Sequence, residues 1–429
     1  MNEVMKKWGD IGFYPADILL PKAGVDMTKW AVVACDQFSS QPEYWTQVER
    51  TVGQAPSTLR MILPESQLHS PGIFGRVAAV NDAMREYLDA GLFQTVENAM
   101  IYVERTQSDG KIRHGILGVL DLERYDYNAG STSLVRATEG TVMSRLPARV
   151  RVRRKAPLEV PHVMILIDDP GRTVIEPLYG APDMEPLYDF PLQQGGGAVR
   201  GWKLTPAQMD AVEAALRGLS APEAMEAKYG VKDAAPLRFA VGDGNHSLAA
   251  AKQCWEERKV TESKEDWENL PGRYALVELV NLHDPALEFS PIHRVVFDTD
   301  PEELVKAFCA EMGANRGWRN DGHNLQFVWE KHDEWYNVPE PKSQLEVGTL
   351  QTFLDGYVKE HDLTVDYIHG EQAARTLGQT PGNLAVLLPA MGKDRLFKTV
   401  IADGVLPRKT FSMGEARDKR YYVEARKIL

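Results

Sequence analysis

The chain has 429 residues, which exceeds one average domain and predicts two or three domains, each with its own core. Hydrophobic residues make up 43% of it and aromatic residues 9%, which is typical of a globular protein and excludes a wholly disordered one. The 61 acidic residues outnumber the 49 basic ones, and the net charge of −12 argues against wholesale binding to nucleic acid or an anionic membrane.

The cysteines and the lengths of the apolar segments predict the cellular compartment of the protein. Cys35, Cys254 and Cys309 are odd in number and form no C-x-x-C pair, so neither a disulfide framework nor a zinc ribbon is indicated. The N-terminal segment lacks a sustained apolar core, which predicts no signal peptide. No window approaches the roughly 20 apolar residues that a membrane helix needs. We therefore expect a cytoplasmic protein with no membrane partner.

The N-terminal part of the chain mixes strand and helix patterns. A proline at position 71 marks the start of one helix, and Ser108-Asp109-Gly110 is a turn signal between two strand-like runs. The pattern predicts a buried strand, two helices and the two strands of a hairpin, at residues 31–35, 43–52, 72–90, 99–105 and 113–120.

The middle of the chain is basic from Arg136 to Lys155. Thr205 followed by Pro206 is typical of a helix N-cap and first helical position. The predicted elements here are a strand, a loop rich in proline and glycine, and two helices, at residues 163–167, 180–197, 205–219 and 222–229.

The strand and helix pattern restarts beyond residue 270. Strands are predicted at 274–279, 294–297 and 384–388, and helices at 301–312 and 350–360. This alternation favours an α+β or α/β fold. A crowd of charged residues between Glu256 and Gly272 predicts a boundary between a domain covering 1–270 and a smaller α/β domain covering 271–429.

One stretch concentrates polar groups at a strand-to-helix junction: FAVGDGNHSLAAAK, residues 239–252. A glycine-bearing turn that leads into a helix leaves backbone N–H groups and the positive helix end pointing at the turn, which suits an anion. Gly242 and Gly244 would let a phosphate approach, with Asp243 or Asn245 as the helix cap. The alternative, an ordinary capped helix with turn glycines, stays open from the local pattern alone.

The standard catalytic motifs are absent from this sequence. It contains no P-loop G-x-x-x-x-G-K-[ST], no dinucleotide-binding G-x-G-x-x-G, no G-x-S-x-G and no H-E-x-x-H. Asp243 and His246 could begin a metal site, but the spacing names no further ligand, so no metal site is predicted.

The stretch FAVGDGNHSLAAAK closely resembles the signature of a large family of bacterial and archaeal proteins, the domain of unknown function 1015 (DUF1015). It is more distantly similar to the matching motif of the ParB/sulfiredoxin-like superfamily. Further blocks appear in the order expected for the family, at residues 33–36, 136–141, 163–169, 280–285 and 290–294. The resemblance covers most of the chain and implies an α+β fold with a ParB/sulfiredoxin-like N-terminal region.

The resemblance also implies a function. The superfamily includes nucleotide-binding ParB domains, sulfiredoxin and kinases of free serine, which hold nucleotide phosphate at this helix N-terminus. Genes of the family often lie beside serine-biosynthesis genes. These associations imply ATP or ADP with Mg²⁺ as cofactors, and a small hydroxylated substrate such as serine.

At two positions this chain departs from the family pattern and lacks a residue that could pair with the charge of a phosphate. Relatives usually carry an arginine immediately after the histidine, where this chain has Ser247, and a histidine before the glutamate-bearing block, where this chain has Arg136-Ala-Thr-Glu139. A phosphate would therefore need other cations. The candidates, together with the turn residues Gly242, Gly244, Asn245 and Ser247, are Arg136, Arg145, Arg149 and Lys203.

The run RVRVR, residues 149–153, would place three arginines on one face if it were extended, where they could grip phosphate oxygens. The alternative is an exposed strand whose arginines are solvated or paired with the many carboxylates. No aromatic residues interleave with the run, which disfavours a nucleic-acid role.

The candidate catalytic residues are Glu139, Asp243 and His246, because phosphorylating a hydroxyl needs a carboxylate to orient or deprotonate it, and a second can hold magnesium. Further candidates are Asp36, which a turn role explains equally well, Arg294, and His293, for which a structural role is favoured. Cys254 is expected to pack in the core.

Two functions follow from these residues. The first is a nucleotide-dependent phosphotransferase, a kinase of a small hydroxylated metabolite; the second is a regulatory protein that binds nucleotide or phosphometabolite without turnover. A role in DNA partitioning is disfavoured by the net charge and by the lack of a clear helix-turn-helix. The sequence leaves a homo-oligomer open.

Overall fold

The computed structural model describes residues 7–68, 70–230 and 235–429, apart from the side chain of Pro222. The first six residues, on which part of the signal-peptide prediction rests, lie outside the described residues. The described chain divides into two compact units, one formed by the residues up to Leu287 together with Glu415–Leu429, the other by Glu288–Gly414. Among the described residues, no helix combines the length and the apolar character that crossing a bilayer requires.

Helices occur in both units. The α-helices span Met27–Trp30, Pro42–Val52, Ile73–Asp89, Leu146–Arg153, Pro206–Leu219, Pro222–Tyr229, Asn245–Lys259, Pro301–Met312, Glu346–Glu360, Glu371–Gly378 and Lys393–Ala402. Short 3₁₀ turns span Thr58–Met61, Glu65–Gln67, Leu122–Arg124, Met143–Arg145, Glu176–Leu178, Trp267–Asn269, Pro271–Arg273 and Ala416–Asp418. The helix predicted from Thr205 is confirmed, and Thr205 and Gln208 form its capping box.

The strands of the first unit are numbered in chain order. They are β1 Phe13–Tyr14, β2 Ala16–Pro21, β3 Val32–Val33, β4 Phe93–Ala99, β5 Ile101–Thr106, β6 Ile112–Asp121, β7 Tyr125–Asp126, β8 Val135–Ala137, β9 Leu158–Glu159, β10 Met164–Ile167, β11 Glu185–Pro191, β12 Ala198–Lys203, β13 Phe239–Asp243 and β14 Tyr274–Asn281. In the described part of the chain, ten strands form one sheet with the order β11-β12-β5-β6-β14-β10-β13-β8-β7, and β1 pairs with β6.

Strand direction decides which residues meet at one edge of this sheet. β13 runs parallel to β8 and antiparallel to β10, and Asp243 lies opposite Met164. The carboxyl ends of β8 and β13 therefore meet the amino end of β10. The loop after β8, the turn after β13 and the residues just before β10 are brought to the same place.

The C-terminal segment Glu415–Leu429 returns to the first unit. Its strands β22 (Tyr421–Tyr422) and β23 (Arg426–Lys427) pair with β3 and β9. Buried ion pairs fix it, because the Arg420 guanidinium bonds both Glu278 and Glu424, and Arg426 Nε lies 2.7 Å from Glu159 Oε1. The segment is thus part of the core of the first unit.

The second unit is built on its own sheet. Its strands are β15 Phe289–Phe297, β16 Asn315–Arg316, β17 His323–Trp329, β18 His332–Val338, β19 Thr364–His369, β20 Leu384–Leu387 and β21 Phe411–Met413. Within the described residues they are ordered β16-β18-β17-β20-β15-β19, with β21 against β15, and every pair is antiparallel. Val295, Val328 and Ala385 form part of a core under helix Glu371–Gly378.

The expected α+β class, a mixed α/β first region followed by a smaller α/β unit, is confirmed. The division of the chain differs from the expected boundary at 270. β14 lies in the first sheet between β6 and β10, and the C-terminal segment rejoins the first unit. The charged stretch that suggested a boundary instead forms the end of helix Asn245–Lys259 and the turns after it.

Two local predictions are wrong. Residues 180–197, expected to be a loop, contain β11, which pairs with β12 despite prolines at both ends of the strand. Residues 149–153, considered as an extended strand, lie in helix Leu146–Arg153, which has Pro147 in its first turn. The predicted hairpin is confirmed by the antiparallel pairing of β5 and β6.

We predict that Arg420→Met destabilises the first unit by about 3–5 kcal/mol, because removing one partner of a buried ion pair leaves uncompensated charge on Glu278 and Glu424. Urea unfolding at neutral pH measures the difference. Arg200→Met is the matched control: the Arg200 side chain is 49% exposed and pairs with Asp189 at 3.5 Å, so its loss should cost less than about 1 kcal/mol. Equal effects of the two substitutions would contradict the prediction.

Candidate functional site

The polar junction predicted from the sequence is a strand, a left-handed glycine and a helix. β13 ends at Asp243, Gly244 has φ of 76°, and the helix Asn245–Lys259, the site helix, begins directly after it. Only glycine adopts this backbone region at little cost, which explains Gly244. No side chain caps the helix, so the expected cap by Asp243 or Asn245 is wrong. The first N–H groups of the site helix are therefore not satisfied by a cap.

Asp243 is held by a lysine of the C-terminal segment. Lys419 Nζ lies 3.0 Å from Asp243 Oδ2, and the Gly244 N–H donates to Asp243 Oδ1 at 2.9 Å. Burial alone would raise the pKa of Asp243, but Lys419, His162 and the Gly244 N–H together lower it. The carboxylate is charged at neutral pH and bound to a cation, which explains why it does not cap the helix.

Two buried polar atoms at the start of the site helix lack a partner among the described residues. They are Oδ1 of Asn245, a residue that is 9% exposed, and Oγ1 of Thr141 in the loop that follows β8. Buried polar atoms in native proteins are normally hydrogen-bonded, so each such atom calls for an explanation. A polar ligand at the helix start would provide one.

His246 joins the loop after β8 to the site helix. The Val142 N–H donates to His246 Nε2 at 3.2 Å, which places the ring proton of the neutral imidazole on Nδ1. Burial lowers the pKa of His246, and the charges of Arg149 and Arg145 lower it further, while Glu65 and Asp36 oppose the shift. His246 is thus a neutral hydrogen-bond donor among charged groups.

The arginines of helix Leu146–Arg153 diverge instead of sharing a face. Arg149 Nη2 lies 2.8 Å from Glu65 Oε1, and its side chain is 14% exposed. The Arg151 guanidinium lies over the ring of Phe74, 4.7 Å from the ring centroid. Arg153 pairs with Glu159 at 2.6 Å. Arg149 and Arg153, unlike Arg151, line a cavity beside the site helix.

A cavity of about 150 Å³ lies beside the start of the site helix. Its polar lining includes Asp36, Glu65, Arg149 and Ser247. Most of the remaining lining is apolar and comes from Met61, Leu63, Met84, Val160, Ala250 and Ala251. The cavity combines charged and hydroxyl groups with a largely apolar wall, as small-molecule sites commonly do.

Ser247 is hydrogen-bonded to a buried histidine. Its Oγ lies 3.0 Å from His162 Nε2, and His162 Nδ1 lies 2.7 Å from the Tyr422 hydroxyl. The Tyr422 oxygen also accepts the Cys35 N–H at 3.1 Å. This chain of bonds connects the site helix with the residues before β10 and with the C-terminal segment.

Glu139 follows β8 at the same edge of the sheet as Asp243, because β8 and β13 are parallel. Thr138 anchors this loop by donating from Oγ1 to the Val241 carbonyl at 2.6 Å. Glu139 is half-buried. Among the described residues, no group of three or more His, Cys, Asp or Glu side chains is arranged to hold a metal ion without further ligands.

Comparison with known proteins bears on this site. The family model described as "Protein of unknown function (DUF1015)" matches residues 19–357. The chain belongs to the DUF1015 family. This confirms the resemblance seen in the sequence, and the matched region includes the loop after β8 and the start of the site helix. No curated protein matches this DUF1015 chain.

Solved structures resemble the DUF1015 chain only weakly. A conserved hypothetical protein from Pyrococcus furiosus is 10% identical, with a TM-score of 0.34, over 69% of this chain and 89% of that one. Free serine kinase in complex with AMP is 11% identical, with a TM-score of 0.37, over 71% and 89%. SbnI with a C-terminal truncation, from Staphylococcus aureus, is 10% identical, with a TM-score of 0.37, over 71% and 85%. Likeness at this level says nothing about the activity of this DUF1015 protein.

Three of the predicted phosphate ligands have other contacts or lie elsewhere in the sheet. The Arg136 guanidinium donates to the carbonyls of Ser133 at 2.9 Å and Ala235 at 2.8 Å, at the opposite end of β8 from Glu139. Lys203 lies on β12, five strand steps from β13, or about 24 Å at the usual strand spacing. A Cβ on Gly242 would come within 2.8 Å of Leu166 Cγ, so packing explains that glycine.

His293 and Arg294 belong to the second unit, where both are buried on β15. His293 Nδ1 accepts the Leu388 N–H at 3.1 Å. Arg294 donates to the carbonyls of Lys409 at 2.9 Å and Arg408 at 3.0 Å. These contacts are consistent with a structural role for both residues, which the sequence favoured for His293.

Sequence reasoning missed four residues of the site: Glu65, His162, Lys419 and Tyr422. His162 offers a weak signal, since it lies two positions before the buried strand β10, where the strands of the sheet end. Lys419 and Tyr422 offer none, because their contacts span long stretches of chain and depend on the return of the C-terminal segment.

We predict that Lys419→Met lowers the urea midpoint at pH 7 and that the deficit shrinks as the pH falls below about 4. The lowered pKa of Asp243 stabilises the fold above the pKa of the unfolded chain, and this contribution is lost as the pH falls through the folded value. Without Lys419, the half-buried carboxylate protonates at a higher pH. The double substitution with Asp243→Asn should cost less than the two single effects added together. A deficit independent of pH would rule out this role for the pair.

Proposed function

We propose that this DUF1015 protein binds the phosphates of ATP or ADP at the start of the site helix and transfers a phosphoryl group to a hydroxyl of a small metabolite, with free serine as the candidate acceptor. The observation that carries the proposal is the set of groups collected there: uncapped helix N–H groups, Arg149, Arg145 and the neutral His246. A helix N-terminus attracts anions, and guanidinium groups bind phosphate oxygens in pairs.

The two buried polar atoms fit the two ligands of such a reaction. The Thr141 hydroxyl can donate to a phosphate oxygen. Asn245 Oδ1 can accept a hydrogen bond from a hydroxyl or from an ammonium group, both of which serine carries. The cavity of about 150 Å³, lined by Ser247 and Leu248 of the same helix, supplies the room that a small acceptor needs.

The chemistry requires a group that takes the proton of the acceptor. In the proposed reaction the acceptor oxygen forms a bond to phosphorus, the bond from phosphorus to the nucleotide oxygen breaks, and Glu139 takes the hydroxyl proton. His246 orients the phosphate by donating from Nδ1. Asp243, already bound to Lys419, fixes the turn and does not serve as the base.

Magnesium is proposed on the chemistry of its donors. Mg²⁺ bound with nucleotides commonly needs only one or two protein carboxylates, with phosphates and waters as its other ligands. Asp36, which lines the cavity, and Glu139 would hold it, and the ion would supply neutralisation of the phosphate charge.

A second candidate function is nucleotide or phosphometabolite sensing without turnover. It is favoured by one observation: at position 247 a serine, engaged by His162, stands where family relatives usually carry an arginine. The two functions share the site and differ only in whether a product forms.

Binding is tested by the thermal stability of the purified protein with MgADP or MgATP. A ligand at about 100 times its Kd should stabilise the folded protein by about 2.7 kcal/mol. We expect Arg149→Gln and His246→Ala each to reduce this shift strongly, because each removes a donor to the phosphate. Arg151→Gln, in the same helix but stacked on Phe74, is the charge-matched control and should keep the shift. Loss of the shift in the control alone would refute the assignment.

Turnover is tested by incubating the protein with MgATP or MgADP and L-serine or other hydroxylated metabolites, followed by detection of the phosphorylated product. Glu139→Gln should lower kcat by about 10²–10⁴-fold and leave the nucleotide Kd unchanged, because the base acts on the acceptor. Glu86→Gln, on an exposed helix face, is the control. Binding without any product would favour the sensor, and absence of both binding and product would exclude both functions.

A further inference from the structure

Ser247 has the geometry of an activated nucleophile. Its hydroxyl meets His162 Nε2 at 3.0 Å, and the other ring nitrogen meets the Tyr422 hydroxyl at 2.7 Å. His162 is 8% exposed and Tyr422 is 1% exposed, so burial and hydrogen bonds hold both rings. A hydroxyl, a histidine and a third group that orients the histidine form the general arrangement of nucleophilic catalysis.

One arrangement of the protons makes His162 a base toward Ser247. With its ring proton on Nδ1, His162 donates to the Tyr422 oxygen, which also accepts the Cys35 N–H at 3.1 Å. His162 Nε2 is then unprotonated and accepts the Ser247 hydroxyl proton. The serine faces a base.

The surroundings of Ser247 and His162 suit a phosphoryl group. Ser247 and Arg149 line the same cavity, and Ser247 lies in the first turn of the site helix, where a phosphate on its oxygen would face the positive helix end. The buried and unpartnered Oδ1 of Asn245, in the same turn, can accept a hydrogen bond from the acceptor molecule that attacks the phosphoserine.

We propose that Ser247 itself accepts the phosphoryl group, so that transfer to the small metabolite proceeds through a phosphoserine at position 247. The inference rests on the proposed phosphotransferase function and adds a covalent intermediate to it. In the first step Ser247 Oγ forms a bond to the terminal phosphorus, the bond to the nucleotide oxygen breaks, and the serine proton moves to His162 Nε2. The nucleotide, which has lost its terminal phosphoryl group, then dissociates.

The second step restores the enzyme. The hydroxyl oxygen of the acceptor attacks the phosphorus of the phosphoserine and gives its proton to Glu139. The bond from phosphorus to Ser247 Oγ breaks, His162 returns its proton to this oxygen, and Glu139 releases the acceptor proton to solvent. The two steps use no reagent besides nucleotide and acceptor, and Tyr422 acts as a positioning residue by holding His162.

The test incubates the full-length protein with MgATP or MgADP and no acceptor. We expect the mass of one phosphoryl group on the intact protein, its location at Ser247 by peptide mapping, and its loss when L-serine is added as product forms. Ser247→Ala should carry no label and lose turnover while retaining nucleotide-induced stabilisation. Ser263→Ala, in an exposed turn, should be labelled like the unmodified protein.

Two further variants separate catalysis from folding. His162→Gln should slow labelling by about 10²–10⁴-fold, as expected for loss of a base. Tyr422→Phe keeps the ring, and it should shift the pH profile of labelling, which a purely structural role would not do. If Ser247→Ala retains turnover, or no label forms while product does, the intermediate is excluded and the phosphotransferase stands. If neither nucleotide binding nor product is found in the unmodified protein, the proposed function fails and the intermediate with it.

Discussion

The buried guanidinium of Arg420 is the contact on which the first unit depends. It bonds Glu278 on the central strand β14 and Glu424 in its own segment, and all three side chains are excluded from water. Burial alone would raise the pKa of Glu278, but Arg113 and Arg420 lower it, so the carboxylate stays charged inside the core. An unpaired carboxylate in the core would strongly destabilise the fold, so Glu278 requires Arg420. This requirement holds the C-terminal segment against the sheet.

The ion pair between Arg420 and Glu278 also positions residues of the candidate site. Lys419 precedes Arg420 and reaches Asp243, while Tyr422 follows it and reaches His162. The family model ends at residue 357, so both contacts come from a part of the chain beyond the matched region. The polar junction that carries the family signature is therefore completed by residues that the signature does not include.

The sequence predicted what local chemistry determines. The turn glycine Gly244, the start of the site helix, the capping box at Thr205 and the hairpin at Ser108–Gly110 each depend on a few adjacent residues. The position of Glu139 beside Asp243 could be anticipated only once β8 and β13 were known to be parallel neighbours.

Long-range contacts explain where prediction from the sequence failed. The alternating arginines fit either a strand or a helix, and the packing of Leu146 and Val150 against the core decides for the helix. Positive charge is the only property that makes Lys203 and Arg136 candidate phosphate ligands. Sheet order places the first about 24 Å away, and backbone carbonyls engage the second. Residue type alone reveals neither the order of strands in a sheet nor the hydrogen bonds that a side chain makes.

The charges of the site constrain how a phosphate could bind there. Arg149 is paired with Glu65 and Lys419 with Asp243, while Asp36 adds a further negative charge near His246. Both of these cations are thus already paired, and an incoming phosphate that binds Arg149 must compete with Glu65 or arrive with a metal ion. Competition lowers affinity, but it lets the ligand trigger a rearrangement at the site, since Glu65 is released as the phosphate binds. In the proposed reaction, nucleotide binding and assembly of the reactive site would therefore be coupled through a single exchange of partners at Arg149.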